Sequence, residues 1–296
     1  MEDRTKLIFR MLLLGGVILL VILVMQPLEV WFFSHRTPLL FPKGAIALKE
    51  RNLLLFIQVL MLFVIVPVYI FTFAFSWWYR ADNKKAKYDP HLVDHKLAEV
   101  IWWGLPAVML TVVAYITWIK TYELDPYRPL ESESKPLKIE AVALNWKWLF
   151  IYPEEGIASV SYLRVPKGRP LHFFITADAP MNSLWIPGLG GQIYAMPGMQ
   201  TQLHLIADEE GEMRGGSANI SGEGFARMTF TTDATSEEEF SAWVEALQQS
   251  DRTLDLVQYN ELAKPTIGHA VEEYRLTDPH LFHTVLMKYM KPAPKN

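Results

Sequence analysis

Three long apolar stretches crowd the chain up to Ile119: Met11 to Leu28, Leu53 to Tyr79 and Val100 to Ile119 each run without a charged residue. Wound as a helix rising about 1.5 Å per residue, each can cross the roughly 30 Å of hydrocarbon in a bilayer. Trp77, Trp78 and Tyr79 close the second stretch, and Trp102, Trp103 and Trp118 stand near the ends of the third, where amphipathic rings prefer the headgroup zone. After the polar connector "ELDPYRPLESESKP" the period changes. "LKIEAVAL", "WKWLFIY", "ASVSYLRV", "LHFFITA", "QTQLHLIA" and "ARMTFTT" are short β-branched or aromatic runs separated by Pro, Gly, Asp and Glu clusters. That rhythm predicts one all-β sandwich or barrel over residues 137–232. Beyond it, Ser236 and Glu239 form a capping box ahead of Phe240, Trp243 and Leu247 on one helical stripe. Two further helical patterns, near 254–263 and 278–290, complete an expected helical tail over 233–296.

The first apolar stretch carries two readings. Arg4, Lys6 and Arg10 ahead of it describe a secretory signal as well as an anchor helix. The nearest A-x-A pattern, Ala45 to Ala47, lies too far along for cleavage, which favours a retained helix within 1–34. Residues 35–125 then form a transmembrane hairpin with spans at about 53–79 and 99–120. Arg80, Lys84, Lys85, Lys87 and Lys96 lie between those spans, against Arg36, Lys43, Lys49 and Arg51 ahead of them. With the charges before Met11, this bias turns the chain start and the 80–98 loop to the cytoplasm and everything after Lys120 outside.

Composition narrows the chemistry. With 51% hydrophobic and 13% aromatic residues the chain is not a disordered one. A formal charge of -4 without a long basic run excludes a nucleic-acid surface. There is no cysteine, which removes disulfides, thiolate metal sites, iron–sulfur clusters and a lipid-modified cysteine together.

Within the β-region, "SANISGEGFARM" at 217–228 has polar side chains spaced like metal ligands, yet Ser217, Ser221 and Phe225 offer nothing that holds a soft metal. From about Phe41 onwards the sequence resembles subunit II of the haem–copper respiratory oxidases: a membrane hairpin, then an external cupredoxin-like sandwich. In the cytochrome c oxidases of that family a His precedes a Ser-aromatic-Trp-x-Pro run, and a loop C-x-E-x-C-G-x-x-H-x-x-M holds two copper ions. Here "NSLWIP" stands at 182–187, so Asn182 matches the first His. Ser217 and Ser221 match the cysteines, Asn219 the glutamate, Phe225 the second His and Met228 the methionine. Hydroxyl, amide and phenyl groups give no affinity for copper, and these six positions are expected to be vestigial, with no metal and no cofactor bound by the chain.

"LNWKWLFIYPEEGIA", "QIYAMPGMQTQLHLIA" and "SGEGFARMTF" resemble the branch of the family without the copper centre, subunit II of cytochrome bo-type ubiquinol oxidases. The resemblance implies a proton-pumping complex in the bacterial inner membrane, with this β-domain on the periplasmic side. It implies haem b, haem o and copper in subunit I, ubiquinol as the substrate of the complex, and subunits I, III and IV and membrane lipid as partners. Cytochrome c is then not a partner. Relatives of this branch commonly carry a cysteine after the N-terminal apolar stretch for lipid attachment, which this chain lacks. A cytochrome c oxidase subunit conflicts with the missing ligands, and a membrane-anchored cupredoxin-like scaffold outside respiration is the alternative from another class.

Single residues complete the expectations. Glu99, in "HKLAEVIWWGLP", is by chemistry alone a first-turn acid complementing a helix dipole; the resemblance makes it the mouth of a proton path into subunit I. His91 and His95 read as solvated loop residues, His204 as a structural histidine, and the acids at 208–212 as a solvated turn. Trp146 and Trp148 are expected to pack against subunit I. Gly222 and Gly224 are expected at positive φ, and Met228 in the core.

Overall fold

The computed structural model describes residues 37–86, 95–130, 132 and 134–290; the stretch Met11 to Leu28, with the expected 1–34 anchor, and His91 lie outside them. Two long helices come first, α1 (Ala45–Trp78) and α2 (Lys96–Glu123). Their apolar windows have mean hydropathies of 2.8 and 1.8 and no buried residue. Helices apolar all round, with no protein core over them, are membrane helices, and that environment also tolerates Pro67 and Pro106 in their interiors.

α1 begins eight residues before its apolar run because the sandwich supplies its start. Helix ends leave backbone N–H groups unsatisfied; here Ala47 N donates to the Leu189 carbonyl at 3.1 Å and Lys43 N to that of Gly188 at 2.8 Å. In return, Glu50 Oε1 accepts from Gly191 N at 3.0 Å. Gly190 sits at φ +88, where a Cβ would lie 2.6 Å from Ala47 N, so only glycine permits this approach. The end of α2 is tied in as well. Glu123 pairs with Lys49 of α1 at 3.1 Å and with Lys120 at 2.5 Å, and Pro126 O accepts His204 N at 3.1 Å.

The sandwich has two sheets. In the larger, β1 (Leu137–Leu144), β2 (Lys147–Tyr152), β3 (Ile157–Val160), β5 (Pro170–Ala177), β8 (Thr201–Ile206), β11 (Thr253–Leu254) and β12 (Glu272–Leu276) run in the order β11-β12-β3-β2-β1-β5-β8. The smaller has β4 (Tyr162–Pro166), β6 (Asn182–Trp185), β7 (Gln192–Ala195), β9 (Gly211–Ser217) and β10 (Thr229–Thr235) in the order β4-β10-β9-β6-β7. The run "ASVSYLRV" is therefore two strands in different sheets. The chain crosses at Ser161, at φ 56, whose N–H donates to Trp148 O in one sheet while its carbonyl accepts from Thr231 N in the other.

Between the sheets, Trp148, Phe150 and Phe230 form the centre of the core, the last two edge-to-face at 4.9 Å. β1 and β2 lack a polar alternation because the larger sheet is covered on its outer face too. There Val142, Leu144, Leu149 and Ile151 pack under Leu254, Tyr259, Leu262, Leu281 and Phe282. Strands buried on both faces read as continuous apolar runs.

The segment 233–290 carries the expected short helices, and strands besides. It contains α3 (Glu237–Gln248), α4 (Leu256–Leu262) and α5 (Leu281–Met287), with Ser236 capping α3 by accepting from Glu239 N at 3.2 Å. It also returns two strands to the larger sheet, β12 pairing antiparallel with β3. The tail is held by one buried carboxylate. Asp178, 6% exposed, accepts from Tyr259 Oη at 2.8 Å, from Lys288 Nζ at 2.8 Å and from Tyr289 Oη. Burial first, then that negative neighbour, raises both phenols above the ordinary value, Tyr289 to about 12.

Candidate functional site

β9 ends at Ser217 and β10 starts at Thr229; the residues between them form a loop whose last turn, Phe225–Arg227, is a 3₁₀ helix. Ser217 N donates to Met228 O at 3.2 Å, closing the loop at its base. β6 lies alongside, with Leu184 opposite Ser217, and this register brings Asn182 to the loop. Ser217 Oγ donates to Asn182 Oδ1 at 2.8 Å and lies 3.2 Å from the Asn219 carbonyl. Asn182 Nδ2 donates to Pro180 O at 2.7 Å, and Asn219 Nδ2 to Met181 O at 2.8 Å. Three of the six positions matched to metal ligands thus form a closed polar knot, with Asn182 only 1% exposed.

The remaining three do other things. Ser221 Oγ is buried without a hydrogen-bond partner, while its carbonyl accepts Trp146 Nε1 at 3.2 Å. Phe225 is half-buried in the 3₁₀ turn. Met228, 1% exposed, packs in the core with Phe230.

These donors do not fit a pair of copper ions. A soft ion takes its affinity from thiolate and imidazole; here two positions are hydrogen-bonded to each other, one side chain is a phenyl ring and the thioether lies in the core. Among the described residues no group of three or more His, Asp or Glu is placed to hold a metal.

Trp146 belongs to this loop more closely than sequence reasoning expects. It occupies the two-residue turn between β1 and β2 at φ 65, and its indole lies over Gly224. Gly222 has the expected positive φ, +111, but Gly224 does not: its φ is -86. Glycine is needed at Gly224 because a Cβ would come within 2.4 Å of the Trp146 ring. Trp148 is likewise not available to another subunit, being fully buried in the sandwich. Strand alternation around "NWKW", with odd positions facing outward and Trp148 inward, was the signal for this.

Lys147, on the other face, is 1% exposed and donates to the Lys264 carbonyl at 2.9 Å and to Thr266. Burial pushes its ammonium below the ordinary lysine value, against the attraction of Glu272. His204 is a satisfied structural residue, its Nδ1 3.0 Å from Pro126 O and its ring stacked on His172 at 4.1 Å. Glu99 lies in the first turn of α2, where His95 caps the helix by accepting from Ala98 N at 3.2 Å. Twenty-four residues of helix separate Glu99 from Glu123 at the sandwich end, about 36 Å at 1.5 Å per residue, so Glu99 and the loop sit at opposite ends of the hairpin.

The sequence profile of the family described as COX Aromatic Rich Motif matches residues 248–293, the segment held by Asp178. A Pseudomonas putida protein named cytochrome bo(3) ubiquinol oxidase subunit 2 is 49% identical over 251 residues, 85% of this chain and 80% of that one. Ubiquinol oxidase subunit 2 of Acetobacter aceti is 44% identical over 97% of this chain and 91% of its own length. Among solved structures, the periplasmic domain of subunit II of cytochrome oxidase from Bradyrhizobium japonicum matches 39% of this chain and 96% of that domain, at 23% identity and a TM-score of 0.36. The chain belongs to the ubiquinol oxidase subunit 2 family.

Proposed function

We propose that this chain serves as subunit II of a proton-pumping cytochrome bo-type ubiquinol oxidase, a complex that oxidises ubiquinol, reduces oxygen to water and moves protons outward. The observation that carries this reading is the Ser217–Asn182 hydrogen bond of 2.8 Å: the atoms standing where copper ligands would stand are bonded to one another. A water-soluble electron donor needs an external relay, whereas ubiquinol is soluble in the bilayer and delivers electrons there. The redox groups, haem b, haem o and copper, are assigned to subunit I, and the sandwich keeps the frame of a relay at Asn182, Ser217, Asn219, Ser221, Phe225 and Met228 as a structural element.

In this reading the sandwich and tail lie on the periplasmic side of the bacterial inner membrane, and the 80–98 loop on the cytoplasmic side. Subunits I, III and IV are the partners, and cytochrome c is not. The division of labour follows the chain: an anchor in 1–34, the hairpin in 35–125, the sandwich in 137–232 and its extension in 233–296. Glu99, at the cytoplasmic end of α2, gathers protons at the membrane edge and passes them on through water towards subunit I.

Affinity purification of the full chain from its own membranes, followed by an optical spectrum, tests the reading. Haem bands of b and o type that follow the chain through purification support it. A chain that arrives without any haem-bearing partner, under detergents that preserve respiratory complexes, contradicts it.

A further inference from the structure

The two membrane helices leave a cavity of about 620 Å³ between them near the sandwich. Leu53, Phe56 and Ile57 of α1 and Val113, Ile116 and Thr117 of α2 wall it, and Lys120 stands at its sandwich end. Leu124, Asp125 and Pro126 bound this cavity and also a second one of about 460 Å³. The second mixes apolar walls with charge: Lys49, Glu123 and Arg128 meet His204 and Asp208 of the sandwich there. An apolar slot between the helices thus adjoins, across Leu124, Asp125 and Pro126, a chamber that carries charged side chains.

We propose that the paired cavities bind one phospholipid of the leaflet beside the sandwich, an acyl chain in the slot between α1 and α2 and the headgroup in the chamber. A gap between helices within hydrocarbon is filled by whatever apolar chain fits it, and lipid tails are at hand. The chamber supplies the rest of the molecule's chemistry. Lys49 and Lys120 share the single carboxylate of Glu123, at 3.1 and 2.5 Å, so one ammonium charge is left over. Arg128 is exposed and adds a further guanidinium without an ion pair among the described residues. Basic groups at the mouth of an interhelical pocket are what a phosphate selects. Asp125 and Asp208 stand in the same chamber, which matches a zwitterionic headgroup bearing a primary ammonium better than a purely anionic one. A helix from another subunit fits less well: the connector at 124–130 and the sandwich residues Leu203, His204 and Ile206 roof the chamber, so a straight helix meets a wall where a headgroup ends naturally. The proposal requires only that α1 and α2 span a membrane and is independent of the quinol reading.

The test is native mass spectrometry and lipid extraction on the intact complex after exhaustive detergent washing, followed by re-addition of vesicles of an ethanolamine phospholipid, a glycerol phospholipid or free quinol. The wild-type chain is expected to retain one phospholipid and to regain it from ethanolamine vesicles. Ile116→Trp, which fills the slot, abolishes retention, and Val113→Phe does the same should Ile116→Trp fail to assemble. Arg128→Gln lowers retention about tenfold, one charge-assisted contact's worth of affinity. The proposal is overturned by a washed wild-type complex that regains no lipid, by equal retention in both slot-filling variants that assemble, or by quinol or an anionic lipid as the molecule regained.

Discussion

The indole of Trp146 lies on Gly224 so closely that a Cβ on the glycine would meet the ring at 2.4 Å, while the same indole donates to the Ser221 carbonyl at 3.2 Å. One side chain from the β1–β2 turn thus holds the loop between β9 and β10. Gly224→Ala forces ring or loop to move, a form of overpacking that costs about 1–3 kcal/mol. Thermal unfolding of the detergent-solubilised chain should show that loss. Trp146→Ala should abolish most of the added penalty in a double-mutant cycle; additive losses would mean the two residues do not act through each other.

Asp178 is the corresponding fastening for the C-terminal extension. Replacing it by Ala leaves the hydroxyl of Tyr259, itself 1% exposed, without its acceptor, a cost of about 1–3 kcal/mol. Hydrogen exchange should rise over 256–288 and leave β1, β2 and β5 protected. Tyr259→Phe, which removes donor and need together, should cost less. Uniform exchange across the domain in Asp178→Ala would deny the clasp its local role.

Two histidines set a pH dependence. Burial holds His172 below the ordinary value, with the charges of His204 and Lys138 acting the same way. Burial and the Lys147 ammonium do so for His269. The unfolded chain therefore takes up these protons first, as pH falls through about 6.5, and the folded state loses stability from there down to the depressed folded values. Unfolding midpoints should fall between pH 7.5 and 5.5, and less steeply in His172→Gln. A midpoint that rises over that interval would show the opposite shift.

Glu99 has a kinetic test. Glu99→Ala should slow oxygen consumption by the complex, and Glu99→Asp, which keeps a carboxylate on a shorter stem, should slow it less. Both should leave the haem spectrum and assembly intact, since the helix cap is made by His95 and not by Glu99. Unchanged turnover in Glu99→Ala removes the proton role.

The membrane helices were legible because nothing but hydrocarbon explains so long an uncharged run, yet the start of α1 was not. Ala45 to Asn52 is a mixed sequence, helical where Leu189 accepts the N–H of Ala47 and Gly188 that of Lys43 just ahead of it, both from another part of the chain. Paired, fully buried strands such as β1 and β2 announced themselves, but β12, "EEYRL", is polar at alternate positions and sits near the sheet edge, where composition says little. The six loop positions could be matched one by one through the motif, but the hydrogen bonds that tie Asn182, Ser217 and Asn219 together could not be read there. The partnership of Trp146 with Gly224 and that of Asp178 with a tail 81 to 111 residues away were not legible either, because such contacts exist only once both sheets have closed.

Copper analysis of this chain, separated from the washed complex and combined with its near-infrared absorption, bears most directly on the central claim. No bound copper and no copper absorption are expected, before or after incubation with cupric or cuprous ions, because Ser217 and Asn182 bond to each other. Stoichiometric copper that survives chelation and follows the sandwich would contradict it, and the assignment to a quinol-oxidising complex would go with it.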